Sequence, residues 1–237
     1  MVVKYISILL FSIFLSNYSQ AQQQTFQVWA ETGLQGKFNK KTEYTMDWTN
    51  RFGNQTLQTS FVQASVKYKL TKWLRPSVDY RWISNREDNG NFLSNHRLNL
   101  NLQINHDIKR WILVLRLRYQ YSFKQLLSAN YDPEFDLSYR IKPMLAYDLK
   151  NSFLTPKISI EYFYNPYNGE LGNRFTKVRY YAGLEMNLKG PHTLEAGYIL
   201  DQRINLPQPL TKHILSLNYT FSIEKKKSAK KTGKKKN

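Results

Sequence analysis

The chain of 237 residues contains no cysteine. This absence excludes a disulfide framework, a Cys-ligated metal site and lipidation at an N-terminal cysteine of the mature protein. After the N-terminal segment there is no run of roughly 18 apolar residues, so no transmembrane helix is indicated. Neither a metal-ligand spacing nor a Gly-rich phosphate loop occurs, and we therefore expect no cofactor and no metal.

Instead, the chain carries a two-residue alternation over almost its whole length. In one segment Leu98, Leu100, Leu102 and Ile104 are aliphatic, whereas Arg97, Asn99, Asn101, Gln103 and Asn105 are polar. Successive side chains of a strand point to opposite sides, so one face can meet hydrocarbon and the other water. Aromatic residues make up 15% of the chain, which suits the interfacial girdles of membrane barrels. The pattern predicts an all-β fold, a transmembrane antiparallel up-and-down β-barrel.

The alternation divides the chain into a series of strands. We predict them at about residues 25–36, 41–52, 57–70, 73–85, 94–107, 111–124, 137–149, 153–165, 174–188, 192–204 and 211–223. Bacterial single-chain barrels have an even number of strands, so we expect about ten strands, beginning at residue 41. Residues 25–36 would then be a periplasmic or inserted segment. A barrel of twelve strands, one of them unrecognised, is the alternative.

The N-terminus differs from the rest of the chain. Residues 1–21 have the features of a secretory signal peptide: Lys4, an apolar core from Ile6 to Leu15, and small residues at Ser19 and Ala21. The barrel is then expected to cover residues 22–223. Export combined with amphipathic strands predicts the outer membrane of a Gram-negative bacterium. Tight and long connections alternate, which places the C-terminus in the periplasm.

The C-terminal residues 224–237 form a lysine-rich tail. Its cations are Lys225, Lys226, Lys227, Lys230, Lys231, Lys234, Lys235 and Lys236. Self-repulsion and the scarcity of apolar residues predict a disordered periplasmic tail. We expect no nucleic acid as a partner, because aromatic residues are missing from the run. The tail is either solvated without a partner or in electrostatic contact with cell-wall polymer or anionic lipid headgroups.

Several short motifs are distributed over the predicted strands. They are Trp29-x-Glu31, Asp79-Tyr80-Arg81, His96-Arg97-Leu98, Leu115-Arg116-Leu117-Arg118, Tyr139-Arg140-x-Lys142, Pro156 with Glu161, and Arg179-Tyr180-Tyr181-x-Gly183. In these motifs the chain resembles a family of uncharacterised outer-membrane β-barrels from Bacteroidetes, a domain of unknown function. The resemblance extends from Trp29 to Phe221 and implies a barrel in a membrane, with no established activity. The chain departs from the family in its tail and in Lys142, where arginine is expected.

The charged residues of these motifs, with Asp201, fall on the face opposite the apolar set; Glu31 is left unplaced. The predicted lumen charge network comprises Asp79, Arg81, Arg97, Arg116, Arg118, Arg140, Lys142, Glu161, Arg179 and Asp201. Strand alternation predicts Arg140 directly opposite Glu161, and Arg179 directly opposite Asp201. Two interpretations remain open. The lumen is either a salt-bridged core that fills a narrow barrel, or an anion-favouring conduit or ligand site.

Ser84 and His96 are a candidate catalytic pair. They are predicted to face each other on the outward surface at the external rim, as a lipid-facing acyl hydrolase would require. No Asp or Asn lies beside His96 on that face, and no oxyanion donors are recognisable. We therefore expect no enzymatic activity.

The sequence thus predicts an integral outer-membrane barrel with a structural role or the role of a narrow anion-favouring conduit. A subunit of a larger envelope complex and a lipid-facing acyl hydrolase are the alternatives. The expected partners are outer-membrane lipid and either cell-wall polymer or an envelope protein complex.

Overall fold

The computed structural model describes residues 23–87, 89–123, 137–205 and 209–223. Over these ranges the chain forms eleven strands. The strands are β1 (Gln23–Lys37), β2 (Thr42–Gly53), β3 (Thr56–Tyr68), β4 (Leu74–Arg86), β5 (Phe92–Ile108), β6 (Trp111–Phe123), β7 (Leu137–Tyr147), β8 (Leu154–Asn165), β9 (Arg174–Asn187), β10 (His192–Arg203) and β11 (Leu210–Ser222). Each predicted strand is present at nearly the predicted bounds. The signal peptide and the lysine-rich tail lie outside the described residues and stay predictions.

The strands close into a barrel in sequence order, which confirms the predicted fold class. Every neighbouring pair is antiparallel except β1 and β11, which run parallel from the pair Gln23 and Leu210 to the pair Gln35 and Ser222. The predicted count of ten or twelve strands is wrong, because the structure closes with eleven. The even-number rule assumes that all pairs are antiparallel. A single parallel pair of strands removes that constraint. Residues 25–36 were expected to be a periplasmic or inserted segment, but they belong to strand β1 of the barrel wall, which is hydrogen-bonded to both β2 and β11.

The two faces of the wall have the chemistry that the alternation predicts. On β5, Leu100 faces outward with 53% of its surface exposed, whereas Asn99 faces the lumen with 0% exposed. The strands have 11 to 17 residues, enough for a tilted strand to cross a bilayer, which needs about 9 to 11. Among the described residues, no helix combines the length and the apolar character that crossing a membrane requires.

The two ends of the barrel differ in their connections. At one end, here called the turn end, residues 38–41, 69–73, 109–110, 148–153 and 188–191 connect the strands. At the opposite end, here called the loop end, residues 54–55 connect β2 to β3 and residues 166–173 connect β8 to β9, and strands β4, β6 and β10 also end there. Because β1 runs parallel to β11, the chain enters the wall at the loop end and leaves it at the turn end.

Candidate functional site in the barrel lumen

The inward faces of the strands form a polar interior. The structure brings every residue of the predicted lumen charge network to this interior, and most of them form three groups around Asp79, Glu161 and Asp201. Strand alternation alone decides this placement, because the inward positions of a strand share one parity. The role of these residues in function is a separate question, taken up below.

The first group surrounds Asp79 on β4. Arg118 donates from Nη2 to Asp79 Oδ2 at 2.9 Å, and the amide of Asn101 donates to the same oxygen at 2.9 Å. The Asn101 amide also donates to Ser77 Oγ at 3.0 Å. Asp79 is only 3% exposed, so its charge is balanced inside the protein rather than by water.

The second group surrounds Glu161 on β8, which is 2% exposed. Arg116 and Arg140 each reach Glu161 Oε1 at 2.8 Å, and Arg179 lies 4.0 Å from Oε2. The predicted contact between Arg140 and Glu161 is therefore confirmed, but the predicted register is wrong. Arg140 lies directly opposite Phe163, and Glu161 is the diagonal neighbour. The long side chain of arginine spans the two-residue offset.

The third group surrounds Asp201 on β10. Arg179 lies directly opposite Asp201, as predicted, and donates from Nε to Asp201 Oδ2 at 2.8 Å. Lys177 approaches the other carboxylate oxygen at 3.8 Å. Because Arg179 also lies near Glu161, it links the second and third groups into one network.

The other members of the predicted network have neutral partners. Arg81 donates from Nε to Gln63 Oε1 at 3.0 Å, and Arg97 donates from Nε to Ser122 Oγ at 2.9 Å. The Lys142 ammonium lies 5.9 Å from the centre of the Tyr181 ring. Amide, hydroxyl and aromatic groups thus help to position these cations.

Aromatic side chains inside the lumen hold several arginines, a feature that the sequence analysis missed. The Arg51 guanidinium lies 3.8 Å from the Trp29 ring centre and 4.9 Å from that of Phe61. Arg81 lies 3.9 Å from the same Phe61 ring, on the lumen side of β4. Stacking on an aromatic face stabilises a guanidinium and fixes its plane. The parity of β2 and β3 would have placed Arg51 and Phe61 in the lumen, had their faces been assigned.

A second group missed by the sequence analysis lies toward the turn end. Lys157 bridges Glu185 and Glu195, with 2.7 Å to Glu195 Oε2. Tyr181 donates from its hydroxyl to Glu195 Oε1 at 2.5 Å. This group has two carboxylates for one cation, in contrast to the arginine-rich part of the lumen.

Three cavities follow one another along the lumen. A cavity of about 610 Å³ lies at the turn end, one of about 300 Å³ in the middle, and one of about 300 Å³ at the loop end. Gln63, Arg116 and Arg118 line both the first and the second cavity. Trp29, Arg51 and Arg179 line both the second and the third. Flexible arginine side chains therefore form the partitions of the lumen.

The structure contradicts the predicted pairing of Ser84 with His96. His96 lies opposite Trp82, and Ser84 lies opposite Ser94. The register between β4 and β5 is displaced by two residues from the predicted one, so the serine and the histidine do not lie directly opposite each other. The His96 ring instead bonds through Nδ1 with the Tyr80 hydroxyl at 2.7 Å. In the described ranges, no group of three or more His, Asp or Glu side chains could hold a metal ion.

These features define the class as a closed β-barrel with an apolar outer face and a charged, arginine-rich lumen. The model of a family described as a protein of unknown function, DUF2490, matches residues 26–209, and the chain belongs to this family. The match confirms the predicted membership of an uncharacterised family, a domain of unknown function. No curated protein matches the chain.

Proposed function

We propose that this protein is an integral outer-membrane barrel whose lumen favours small anions and conducts them slowly. The N-terminal signal peptide would direct export, the loop end would face the outside, and the C-terminal tail would face the periplasm. The protein would act without catalysing a reaction.

The outer face supports insertion into a bilayer. Large apolar side chains cover it, among them Leu100, Ile158 and Leu217, each at least half exposed. Soluble proteins rarely leave an apolar band of this extent in water. At the turn end, Trp73, Trp111 and Phe153 are exposed at or next to strand ends. Aromatic residues in such positions are typical of the interfacial girdles of membrane barrels.

The observation that carries the proposal is the excess of cations over carboxylates along the lumen. Among the described residues, eleven cations line the middle and loop-end cavities: Arg51, Arg81, Arg86, Arg116, Arg118, Arg140, Lys142, Lys177, Arg179, Arg203 and Lys212. The carboxylates in the same two cavities are Glu31, Asp47, Glu161, Glu195 and Asp201. In a narrow lumen with low-dielectric walls, an excess of fixed positive charge attracts anions and repels cations.

The partitions explain why conduction would be slow. An anion passing from one cavity to the next has to move the side chains of Arg116 and Arg118, or of Arg51 and Arg179. Several of these arginines are held by buried carboxylates such as Asp79 and Glu161, so each movement breaks charge-assisted hydrogen bonds. The same network keeps the barrel rigid, which favours a structural role as the second candidate.

Anion flux into sealed vesicles tests the proposal. The refolded protein is reconstituted into liposomes that contain a chloride-quenched dye, and chloride is added outside. We expect slow quenching that depends on the protein and is faster in Arg118→Ser, which opens one partition. Quenching no faster than in empty liposomes, for both proteins, would support the structural role and refute the conduit.

A further inference from the structure

The loop-end cavity differs from the rest of the lumen in how its charges are balanced. Its cations are Arg51, Arg86, Lys177, Arg179, Arg203 and Lys212. Among the described residues that line it, Asp201 is the single carboxylate. Arg179 and Lys177 already bind that carboxylate. The remaining cations of the cavity have no ion pair with any residue of the described ranges.

The register places like charges next to each other in this cavity. Arg203 on β10 lies directly opposite Lys177 on β9. Like charges at directly opposed positions destabilise a strand pair. An anion from solution can relieve this repulsion, because its charge would be shared among the facing cations.

Arg51 gives an independent indication of a missing partner. Its guanidinium is fixed against the Trp29 ring, and its Nε atom is buried without a hydrogen-bond acceptor in the described protein. A buried donor without an acceptor costs free energy. Arg51 lines this cavity without an ion pair in the described ranges, so an anion there would balance its charge.

We propose that the loop-end cavity is a binding site for a phosphate group, held by Arg51, Arg203 and Lys212. A phosphate offers several oxygens to several donors at once and matches the planar fork of arginine, which a chloride ion does not. The volume of about 300 Å³ accommodates inorganic phosphate or a small phosphate monoester. Neutral side chains on the wall, among them Gln27, Gln58 and Asn85, would bind the remaining oxygens or the ester group.

This inference deepens the proposed function by naming the class of anion, yet it is tested separately. Binding needs access from the loop end but no passage through the partitions. A sealed barrel that binds phosphate would refute the conduit and keep the site. A conducting barrel that does not bind phosphate would support the conduit and refute the site.

The test uses the full mature chain, refolded in detergent micelles and shown to be folded by its heat-dependent mobility on gels. Isothermal titration calorimetry with inorganic phosphate, and separately with glucose 6-phosphate, measures the affinity at low ionic strength. We expect saturable binding of at least one of them at one molecule per barrel. Arg203→Gln/Lys212→Gln should weaken it by roughly tenfold to a hundredfold, as expected for lost hydrogen bonds to charged groups.

The matched control is Lys67→Gln/Arg75→Gln, which removes one lysine and one arginine from the inward faces of β3 and β4 near the turn end. Its affinity should stay within about twofold of the wild type, since screening weakens charge effects beyond about 8 Å. If both double variants weaken phosphate binding equally, phosphate is attracted by the overall positive charge of the lumen, and the proposed site is overturned. Absence of saturable binding by either compound would overturn it too. If the first double variant fails to fold, Lys212→Gln alone replaces it, with the same expected direction.

Discussion

Arg140 donates from Nε to Glu161 Oε1 at 3.0 Å, although the residue directly opposite Arg140 on the neighbouring strand is Phe163. The Arg140 guanidinium lies 4.3 Å from the centre of that Phe163 ring while it binds the diagonal carboxylate. One arginine thus uses both its charge and its planar face. Both ends of the pair are buried, so its charges are balanced mainly by protein groups.

Two arginines, Arg116 and Arg140, share the single carboxylate of Glu161, and this leads to the first prediction. Glu161→Leu removes the carboxylate that Arg116 and Arg140 share, and leaves the buried Arg140 and the half-buried Arg116 without it. We expect a loss of about 3 to 5 kcal/mol in the free energy of unfolding. Arg140→Leu should cost clearly less, because Glu161 keeps Arg116. Urea unfolding of the refolded protein in lipid vesicles measures both values.

The double variant Arg140→Leu/Glu161→Leu provides the control for coupling. Residues in direct contact give non-additive effects, so the double variant should be more stable than the sum of the single losses implies. Strictly additive losses, or a larger loss for Arg140→Leu than for Glu161→Leu, would contradict the cluster geometry.

The sequence predicted the strands and their faces well, because both follow from local alternation. Leu100 and Asn99 point to opposite sides for a reason that involves only their own strand. Registers were predicted less well. The predicted partner of Arg179, Asp201, was correct. The predicted partners of Arg140 and of His96 were each two residues away from the observed ones. A shift of two keeps every side chain on its face, so hydrophobic pattern alone cannot detect it.

The closure of the barrel could not be predicted from local pattern at all. The pairing of Gln23 with Leu210 joins residues from opposite ends of the chain. Nothing in the alternation of β1 distinguishes a parallel neighbour from an antiparallel one. The cluster of cationic side chains at the loop end was missed for a related reason. Arg203 and Lys177 meet only through the register of β9 with β10.

A second prediction concerns the glycine pair beneath Tyr181. Gly183 and Gly197 lie opposite each other, and a Cβ atom at either would collide with the Tyr181 ring. Gly197→Ala should therefore destabilise the barrel, by about 1 to 3 kcal/mol. The same urea titration measures the loss.

Truncation of the ring tests whether that collision is the cause. In Tyr181→Ala, the added cost of Gly197→Ala should shrink, since the colliding atoms belong to the tyrosine. Gly183→Ala should remain costly even then, because its Cβ would also lie 2.8 Å from the Ala196 carbonyl oxygen. An unchanged cost of Gly197→Ala in the truncated background would contradict the account.

A third prediction concerns orientation in the membrane. The chain lacks cysteine, so single cysteines can be introduced without background. Asn89→Cys at the loop end should react with an impermeant maleimide on whole cells. Lys150→Cys at the turn end should react only after the cells are broken; Asn151 is left unchanged because its φ of 56° disfavours cysteine. The reverse pattern of labelling would invert the proposed orientation.

A fourth prediction separates the tail from the barrel. The last strand ends at Ser222, and Ile223 donates its backbone N–H to the Gln35 carbonyl at 2.9 Å. Deletion of residues 224–237 should therefore leave a folded, heat-modifiable barrel in the membrane. Retention on isolated cell wall should fall, and that of the full chain should weaken with added salt. Loss of the folded barrel would make the tail part of the fold, and unchanged retention would refute contact with a polyanion.

The reversal potential of the single barrel tests the central claim most directly. The refolded protein is inserted into a planar bilayer that separates concentrated from dilute potassium chloride, and the voltage of zero current is recorded. The excess of cations over carboxylates in the lumen predicts a small conductance and a reversal potential on the side of chloride selectivity. Arg118→Ser should raise the conductance. A reversal potential on the potassium side, or a membrane that stays silent after verified insertion, would contradict an anion-favouring conduit.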